Sequence, residues 1–507
     1  MLTPHRLAAL ILCAAATLAS APDARAQSSG APLPDIGNPA STTLSTADER
    51  RIGLMIVRGL RDAGQIVEDP EVNEYIQGVG SRLASHAHEG GQKFTFFVVK
   101  DPDINAFALP GGFIGINAGL FTATRSESEL AGVLAHEIAH VTQRHIARSI
   151  QAAGRGNLAS AAAVLATILI GATTGMPSDA IIGGVAAAQS LAIQQQINFT
   201  RSNESEADRV GIGILAAADF DPSGMPSFFW TMQQRAGSGR QIPELLRTHP
   251  VTTERIAETR DRAAQLPAGK GTDSLGYSLI RERLRVSLLP SDTNFRDLYR
   301  DAVSADVPSS DDHRYGRALA LVAAGAPQEA VPILRDLVAR RQDATQYHAA
   351  LGQTLLLAGD VPGSLRVLEN AQALFPRNVP VTIRLAETLM TAGRARDAHH
   401  LLLDLFNNVA PSPAQARYIA MVASTAGDTV DAYYYMSEFH LMGGELALAI
   451  DQLKLALTVP EMTDLQRNRI EARITELEEY LPKGKRSREV PDSSPRRDPE
   501  GGASKPG

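Results

Sequence analysis

Residues 130–141 read LAGVLAHEIAHV, and this stretch decides which fold the first half of the chain is expected to adopt. Its apolar residues recur at helical spacing and form one face, made by Leu130, Val133, Leu134, Ile138 and Val141. His136 and His140 are four residues apart, so both imidazoles lie on one side of the helix and can reach a single metal ion. Glu137 can then reach a water molecule beside that ion. The pattern predicts a zinc-binding helix; two histidines and a glutamate on an ordinary helix are the alternative.

A catalytic zinc site of this kind needs a third protein ligand, and it must come from elsewhere in the chain. A compact continuation of the motif would place a histidine at position 146, which is Ile146. Residues 203–208 read NESEAD on a second predicted helix, where Glu204 and Asp208 share a face. Glu204 can bind zinc, and Asp208 can accept a hydrogen bond from a ligating histidine. Glu206 is expected to point away into solvent. A solvated acidic face is the alternative for the other two.

Together these motifs resemble those of the HtpX and CAAX-prenyl-protease family of gluzincins. HEIAH is followed by NESEAD, and then by Thr-His-Pro at 248–250 with Arg255 six residues after its histidine. The resemblance covers about residues 46–480. It implies a mainly α zincin-type metalloprotease domain with a small β-sheet, one Zn²⁺ per chain, and Glu137 as the general base. The zinc ligands that it implies are His136, His140 and Glu204.

The role of His249 is left open between two possibilities. In periplasmic members of the family that carry helical repeats, the histidine of the Thr-His-Pro motif can take the fourth zinc position. Because a catalytic zinc needs an open position, such a ligand would act as a latch that must swing away before catalysis. Alternatively, His249 or Arg255 would stabilise the oxyanion that forms during peptide hydrolysis. An ordinary loop residue before a proline is the plain alternative for His249.

The second half of the chain contains a repeat with a period of 34 residues. The dipeptide Ala-Gly occurs at 324–325, 358–359, 392–393 and 426–427. A small residue follows five positions after each glycine, namely Ala330, Ser364, Ala398 and Ala432. A period of 34 residues with a small residue at a fixed place in each unit is the signature of tetratricopeptide repeats. An α-solenoid is therefore predicted over residues 312–480. Its concave surface would bind a protein or peptide partner, or pack against the first domain. Gly443-Gly444 starts a further helix pair half a period out of step.

Three short segments predict the small sheet, and one of them lies upstream of the metal helix. They are 93–100, 105–109 and 113–117, which are rich in β-branched and aromatic residues. In the resembled family the strand that corresponds to 105–107 pairs with an extended substrate, as strand addition requires. A plain core strand is the equal alternative.

The N-terminus predicts export across a membrane. Arg6 precedes an apolar run at 7–18, and Ala24-Arg25-Ala26 follows as a cleavage pattern, so a secretory signal peptide cut after Ala26 is expected. An uncleaved anchor is the alternative, although the run is short for one. The single cysteine, Cys13, lies in this segment, so the mature chain would have no disulfide. Residues 158–193 are apolar, and they predict buried or lid helices, with a hairpin that touches a membrane as the alternative.

Length and composition limit the remaining possibilities. The 507 residues are 44% hydrophobic and 21% charged, which excludes global disorder and favours several domains. The net charge of −7 argues against nucleic acid as the main partner. The expected organisation is a signal peptide (1–26), a zinc metalloprotease domain (27–265), a connecting region (266–311), a tetratricopeptide-repeat domain (312–480) and a disordered tail (481–507).

The resemblance implies a periplasmic zinc metalloendopeptidase in the quality control and assembly of outer-membrane proteins. Unfolded or misassembled outer-membrane proteins would be its substrates, and the repeat array would contact the outer-membrane assembly machinery. A second hypothesis is an assembly chaperone or adaptor whose protease site is normally latched. A third is a repeat scaffold with an inactive metal site, which the intact ligand set disfavours.

Overall fold

The computed structural model describes residues 45–87, 92–152, 201–237, 243–269, 272–299, 310–460 and 462–480. The predicted signal peptide, the apolar segment 158–193 and the predicted tail lie outside these residues. Within the described ranges, no helix combines the length and the apolar character that crossing a membrane requires. The mainly α fold with a small sheet, followed by helical repeats, is confirmed.

The first half of the chain is a helical domain with one sheet. Its strands are β1 (Thr95–Val99), β2 (Ala106–Leu109) and β3 (Phe113–Asn117). Its helices are α1 (Thr46–Asp62), α2 (Pro70–Ala84), α3 (Ala118–Ala123), α4 (Glu127–Thr142), α5 (His145–Ala152), α6 (Arg201–Ala217), α7 (Gly224–Gly237), α8 (Glu244–Thr248), α9 (Thr253–Ala264) and α10 (Leu275–Ser287).

The sheet has the strand order β1-β3-β2, so β2 forms one edge. β1 pairs with β3 in parallel, and β2 pairs with β3 in antiparallel register with Ala108 opposite Ile114. β2 also packs against α4, which carries the HEIAH motif. The edge strand therefore lies directly beside the predicted metal helix. Phe107 on this strand is nevertheless buried against Phe97 of β1, so β2 contributes to the core as well.

α4 and α6 are packed unusually closely, and a glycine permits this. A Cβ atom placed on Gly211 of α6 would lie 3.0 Å from the carbonyl oxygen of Ala135 and 3.1 Å from the Cα of His136. Any side chain at this position would push the two helices apart. Their apolar faces join one core with the sheet, in which Leu134, Ile138 and Ile212 are buried.

The helix that carries HEIAH ends soon after the motif. The sequence has helical periodicity from 126 to 153, but α4 ends at Thr142 and α5 begins at His145. Arg144 between them has a φ of 52°, a left-handed conformation that side-chain-bearing residues rarely adopt. Its guanidinium lies 2.9 Å from the carboxylate of Glu49 on α1, so a long-range ion pair accompanies the break.

The second half is an array of paired helices. They are α11 (Asp311–Ala323), α12 (Pro327–Arg340), α13 (Thr345–Leu357), α14 (Val361–Leu374), α15 (Val379–Thr391), α16 (Ala395–Phe406), α17 (Pro413–Ala426), α18 (Thr429–Met442), α19 (Leu446–Ala456) and α20 (Asp464–Glu478).

The Ala-Gly dipeptides mark the turn inside each repeat. The four glycines have φ between 72° and 90°, which explains why the same residue returns every 34 positions. They are Gly325, Gly359, Gly393 and Gly427. The small residues that follow are fully buried at Ala330, Ser364 and Ala398, whereas Ala432 is half-buried. Gly444, which also has a positive φ, instead lies between α18 and α19. This is where the sequence predicts a helix pair half a period out of step.

The predicted connecting region contains a helix that belongs to both halves. Tyr277, Ile280 and Leu284 of α10 are buried in the core of the first domain. Leu279 of the same helix is buried with Tyr315 of α11 in the core of the first repeat. The boundaries drawn from the sequence at 265 and 312 stay predictions, but α10 is an element shared by two cores rather than a linker.

A buried cluster of four charges fixes the array to the first domain. Asp69 and Glu71 lie at the start of α2, Arg283 lies on α10, and Arg384 lies on α15 of the third repeat. Arg283 is 2.7 Å from Asp69, and Arg384 is 3.0 Å from Glu71, whose side chain has no exposed surface. Although burial opposes it, the two arginines hold the pKa of Asp69 below its usual value. Two acids balance two bases, as a buried cluster requires.

We expect Arg384→Met to lower the free energy of unfolding by about 3–5 kcal/mol, because it leaves Glu71 buried with one arginine fewer. Arg394→Met is the matched control: its ion pair with Asp397 is about half exposed and should contribute little to stability. Denaturant titration of the full chain measures both changes. Equal effects of the two substitutions would show that the buried cluster does not stabilise the contact.

Candidate metal centre

Two adjacent helices bring the three predicted ligands together. His136 and His140 come from α4, and their Nε2 atoms are 3.0 Å apart. Glu204 comes from the first turn of α6, and its carboxylate oxygens lie 3.5 Å from each of these nitrogens. All three side chains are buried. One turn of each helix therefore supplies a compact group of donor atoms, and the close approach at Gly211 makes this possible.

The donor set fits a zinc ion. Two imidazoles and one carboxylate are a common set of ligands in catalytic zinc sites. Burial raises the pKa of Glu204, but His249 and His136 outweigh this effect and hold it well below its usual value, so the carboxylate is ionised. Burial opposes a proton on His136, yet Asp208 and Glu204 raise its pKa to about 10. The site thus attracts positive charge at the position where the donor atoms meet.

Asp208 and Arg255 form a second layer behind the ligands. Nδ1 of His136 lies 3.0 Å from Oδ1 of Asp208, the contact that the spacing in NESEAD predicts. Arg255 on α9 donates to both oxygens of that carboxylate, at 2.7 and 2.8 Å. Its Nη1 also lies 2.9 Å from Glu204 and donates to the carbonyl of Pro250 at 2.7 Å. The guanidinium therefore joins the carboxylates to the Thr-His-Pro loop.

These contacts place Arg255 behind the ligands. Its side chain is only 8% exposed, and Asp208, Glu204 and Pro250 engage its Nε, Nη1 and Nη2 atoms. The catalytic role that the sequence predicts for it would require a free donor beside the substrate. The geometry instead favours orientation of Asp208 and Glu204.

Glu137 lies where a general base is expected. Its side chain is 1% exposed, both carboxylate oxygens are buried, and Nε2 of His249 lies 3.5 Å from one of them. Burial raises its pKa, while His249 and His136 oppose that shift. A buried carboxylate of raised basicity is suited to take up a proton.

His249 contacts both the ligand group and the base. It is the C-cap residue of α8 and is buried. Its Nδ1 lies 3.1 Å from Glu204 and 3.4 Å from Nε2 of His136, and its Nε2 lies 3.5 Å from Glu137. The backbone N–H of Leu245 in α8 donates to the carbonyl of Ile104, just before β2. The short helix thus holds the imidazole over the site and reaches the edge strand.

Two residues of the site were not predicted. His145 is fully buried, and its Nδ1 lies 2.9 Å from Nδ1 of His140. Glu206 was expected to be solvated, but it lies 3.2 Å from Nε2 of His145 and 2.8 Å from Arg148. Its hydrogen bond with Arg148 lowers its pKa, and burial lowers that of His145. The sequence feature that could have indicated His145 is that it is a third histidine, five positions after His140.

Comparisons with known proteins agree with this geometry. The model of peptidase family M48 matches residues 70–263, and a tetratricopeptide-repeat model matches residues 355–424. The beta-barrel assembly-enhancing protease of Escherichia coli (strain K12) is 32% identical over 92% of this chain and 95% of its own. A related protein of Vibrio cholerae serotype O1 is 34% identical over 92% of this chain and 96% of its own. The chain is therefore a metallopeptidase that belongs to family M48, in the group of repeat-carrying beta-barrel assembly-enhancing proteases.

Proposed function

We propose that this chain is a periplasmic zinc metalloendopeptidase that acts on unfolded or misassembled outer-membrane proteins. The observation that carries the proposal is the convergence of His136, His140 and Glu204 with the buried base Glu137. The name of the Escherichia coli relative refers to β-barrel assembly, which supports this class of substrate. The signal peptide predicted at 1–26 would deliver the chain to the periplasm, where the repeat array would engage the outer-membrane assembly machinery.

The residues divide the chemistry of peptide hydrolysis between them. Zinc held by His136, His140 and Glu204 would supply Lewis-acid activation of a water molecule and of the peptide carbonyl. Glu137 takes a proton from the attacking water and later passes it to the leaving amine. Because both its oxygens are buried, the proton is shielded from bulk water between these two steps.

The edge strand β2 is the proposed track for the substrate backbone. An extended peptide that adds to a sheet edge is held by main-chain hydrogen bonds with little demand on sequence, which suits unfolded substrates. β2 packs against α4, so a peptide on this edge would pass close to Glu137. The bond between Leu245 and Ile104 places α8 at the start of the same edge.

A latched state supports the second function, that of an assembly chaperone or adaptor acting mainly by binding. In the observed arrangement His249 lies against Glu204 and Glu137 at once. As a fourth ligand it would fill the position that water needs, and the same ring would cover the base. Release of α8 from Ile104 would then expose the site and the edge strand together. The protease would act only when the latch opens.

Glu137→Gln is expected to leave zinc bound and the fold intact while it lowers peptide cleavage by about 10²–10⁴-fold, since the amide cannot accept the proton. Glu129→Gln on the same helix is the control, because that side chain contacts Arg125 rather than the metal group. Zinc content and hydrolysis of an unfolded protein are measured on purified material. Retained cleavage by Glu137→Gln would exclude the assigned base.

His249→Ala separates the two roles considered for this residue. As a latch, its removal should raise cleavage, because the fourth position opens while three ligands still hold the zinc. As a donor to the transition state, its removal should lower turnover by about 10²–10³-fold. We expect the increase. Arg247→Ala, whose side chain on the same helix is about half exposed, controls for changes in α8 itself. The initial rate at measured zinc content decides between the roles.

Arg255→Lys tests whether the guanidinium orients ligands or contacts the substrate. If it orients Asp208 and Glu204, a lysine loses the paired hydrogen bonds, and zinc affinity should fall by about 10–100-fold. Turnover should then recover at saturating zinc. Arg260→Lys, an exposed position on α9, serves as the control. A loss of kcat with unchanged zinc affinity would instead support a direct catalytic role.

A further inference from the structure

The two metal-binding histidines are backed by different groups. The outer nitrogen of His136, Nδ1, lies 3.0 Å from a carboxylate, that of Asp208. The outer nitrogen of His140 lies 2.9 Å from another imidazole nitrogen, Nδ1 of His145. The ring planes of His140 and His145 are inclined by 78° with centroids 4.8 Å apart, so the two rings meet edge to face rather than stack. This close nitrogen pair requires one nitrogen to donate and the other to accept.

The second nitrogen of His145 continues the chain of contacts. Its Nε2 lies 3.2 Å from Oε2 of Glu206 on α6. The same oxygen accepts a hydrogen bond from Nη1 of Arg148 on α5 at 2.8 Å. His145 has no exposed surface, whereas the side chain of Glu206 is 27% exposed. The contacts run from a buried ligand to a charged pair at the protein surface.

Only one set of tautomers satisfies these three contacts when His140 binds a metal. His140 would bind through Nε2, which faces His136, so its proton is on Nδ1. That proton can be donated only if Nδ1 of His145 is unprotonated, which places the proton of His145 on Nε2. Nε2–H then donates to Glu206, an acceptor that Arg148 keeps ionised.

We propose that His145 is a positioning residue that fixes the ring and tautomer of His140, with Glu206 and Arg148 fixing His145 in turn. This inference rests on the proposed zinc site. The sequence NESEAD then has three separate tasks on one helix: Glu204 binds the metal, Asp208 orients His136, and Glu206 orients His140 through an imidazole.

The backbone supports a dedicated placement of His145. The break between α4 and α5 at Arg144, with its φ of 52°, brings His145 behind His140 instead of continuing the helix away from it. The ion pair between Arg144 and Glu49 accompanies that turn.

A neutral acceptor also suits the charge of the site. Glu137, Glu204 and Asp208 already place three carboxylates around the donor atoms, and Arg255 supplies one positive charge against them. A carboxylate directly behind His140 would add a fourth. The imidazole of His145 accepts the same hydrogen bond and moves the negative charge out to Glu206, where Arg148 neutralises it.

The test compares His145→Phe with His145→Asn. Phenylalanine keeps the ring and its packing but offers no acceptor, so affinity for Zn²⁺ should fall by about 10–100-fold. In asparagine, Oδ1 can take the place of Nδ1 and accept from His140, so it should restore most of that loss. Thr142→Val is the matched control: it is buried at the end of α4, and its hydroxyl bonds the carbonyl of Ala139 and the neighbouring Gln143 side chain. Competition with a chelator measures affinity on the full chain.

A second readout separates positioning from stability. Co²⁺ bound to wild type and to each variant reports ligand geometry through its visible absorption, which should change for His145→Phe and return for His145→Asn. The melting temperature of the metal-free chain should be alike for the two variants. Equal zinc affinity in wild type and His145→Phe would overturn the inference, as would an equal loss in Thr142→Val or His145→Asn. Failure of the wild-type chain to bind Zn²⁺ would instead overturn the proposed function.

Discussion

The paired hydrogen bonds between Arg255 and Asp208 are the interaction on which the metal centre depends. They join α9 to α6 in the interior, and through Asp208 they set the orientation of His136 on a third helix. The same guanidinium reaches Glu204 and the carbonyl of Pro250, so the ligand group and the Thr-His-Pro loop contact one buried cation. A buried charge is stable only with such partners, so the helices α4, α6 and α9 are held in one arrangement.

The same constraint organises the contact between the two halves of the chain. There the charges balance without any ion, since Asp69 and Glu71 face Arg283 and Arg384. At the metal centre the carboxylates outnumber the neighbouring arginine. The excess negative charge lies around the point where the donor atoms meet. The first cluster attaches the array to the first domain, because the protein supplies all of its positive charge. The second suits a cation, because the protein supplies only part of the positive charge there.

The short motifs predict the group of candidate metal ligands and the repeats because each depends on local spacing. Helical geometry puts His136 and His140 on one face, and a turn glycine returns at every repeat. The features that the sequence does not predict depend on contacts between distant elements. The break at Arg144 accompanies an ion pair with α1, and the place of His145 depends on the acceptor it offers to another imidazole. The guanidinium of Arg255 is engaged by residues whose distance from it is visible only once α6 and α9 are packed.

The shared helix α10 has a mechanical consequence. Since one side of it is buried in each core, the array cannot swing against the first domain about α10 without exposing apolar side chains of this helix. Tyr277 of α10 contacts the hydroxyl of Thr124 at 3.0 Å, and Thr124 directly precedes the segment that opens α4. A load applied to the array would therefore reach the start of the helix that carries His136 and His140 through packed side chains of α10.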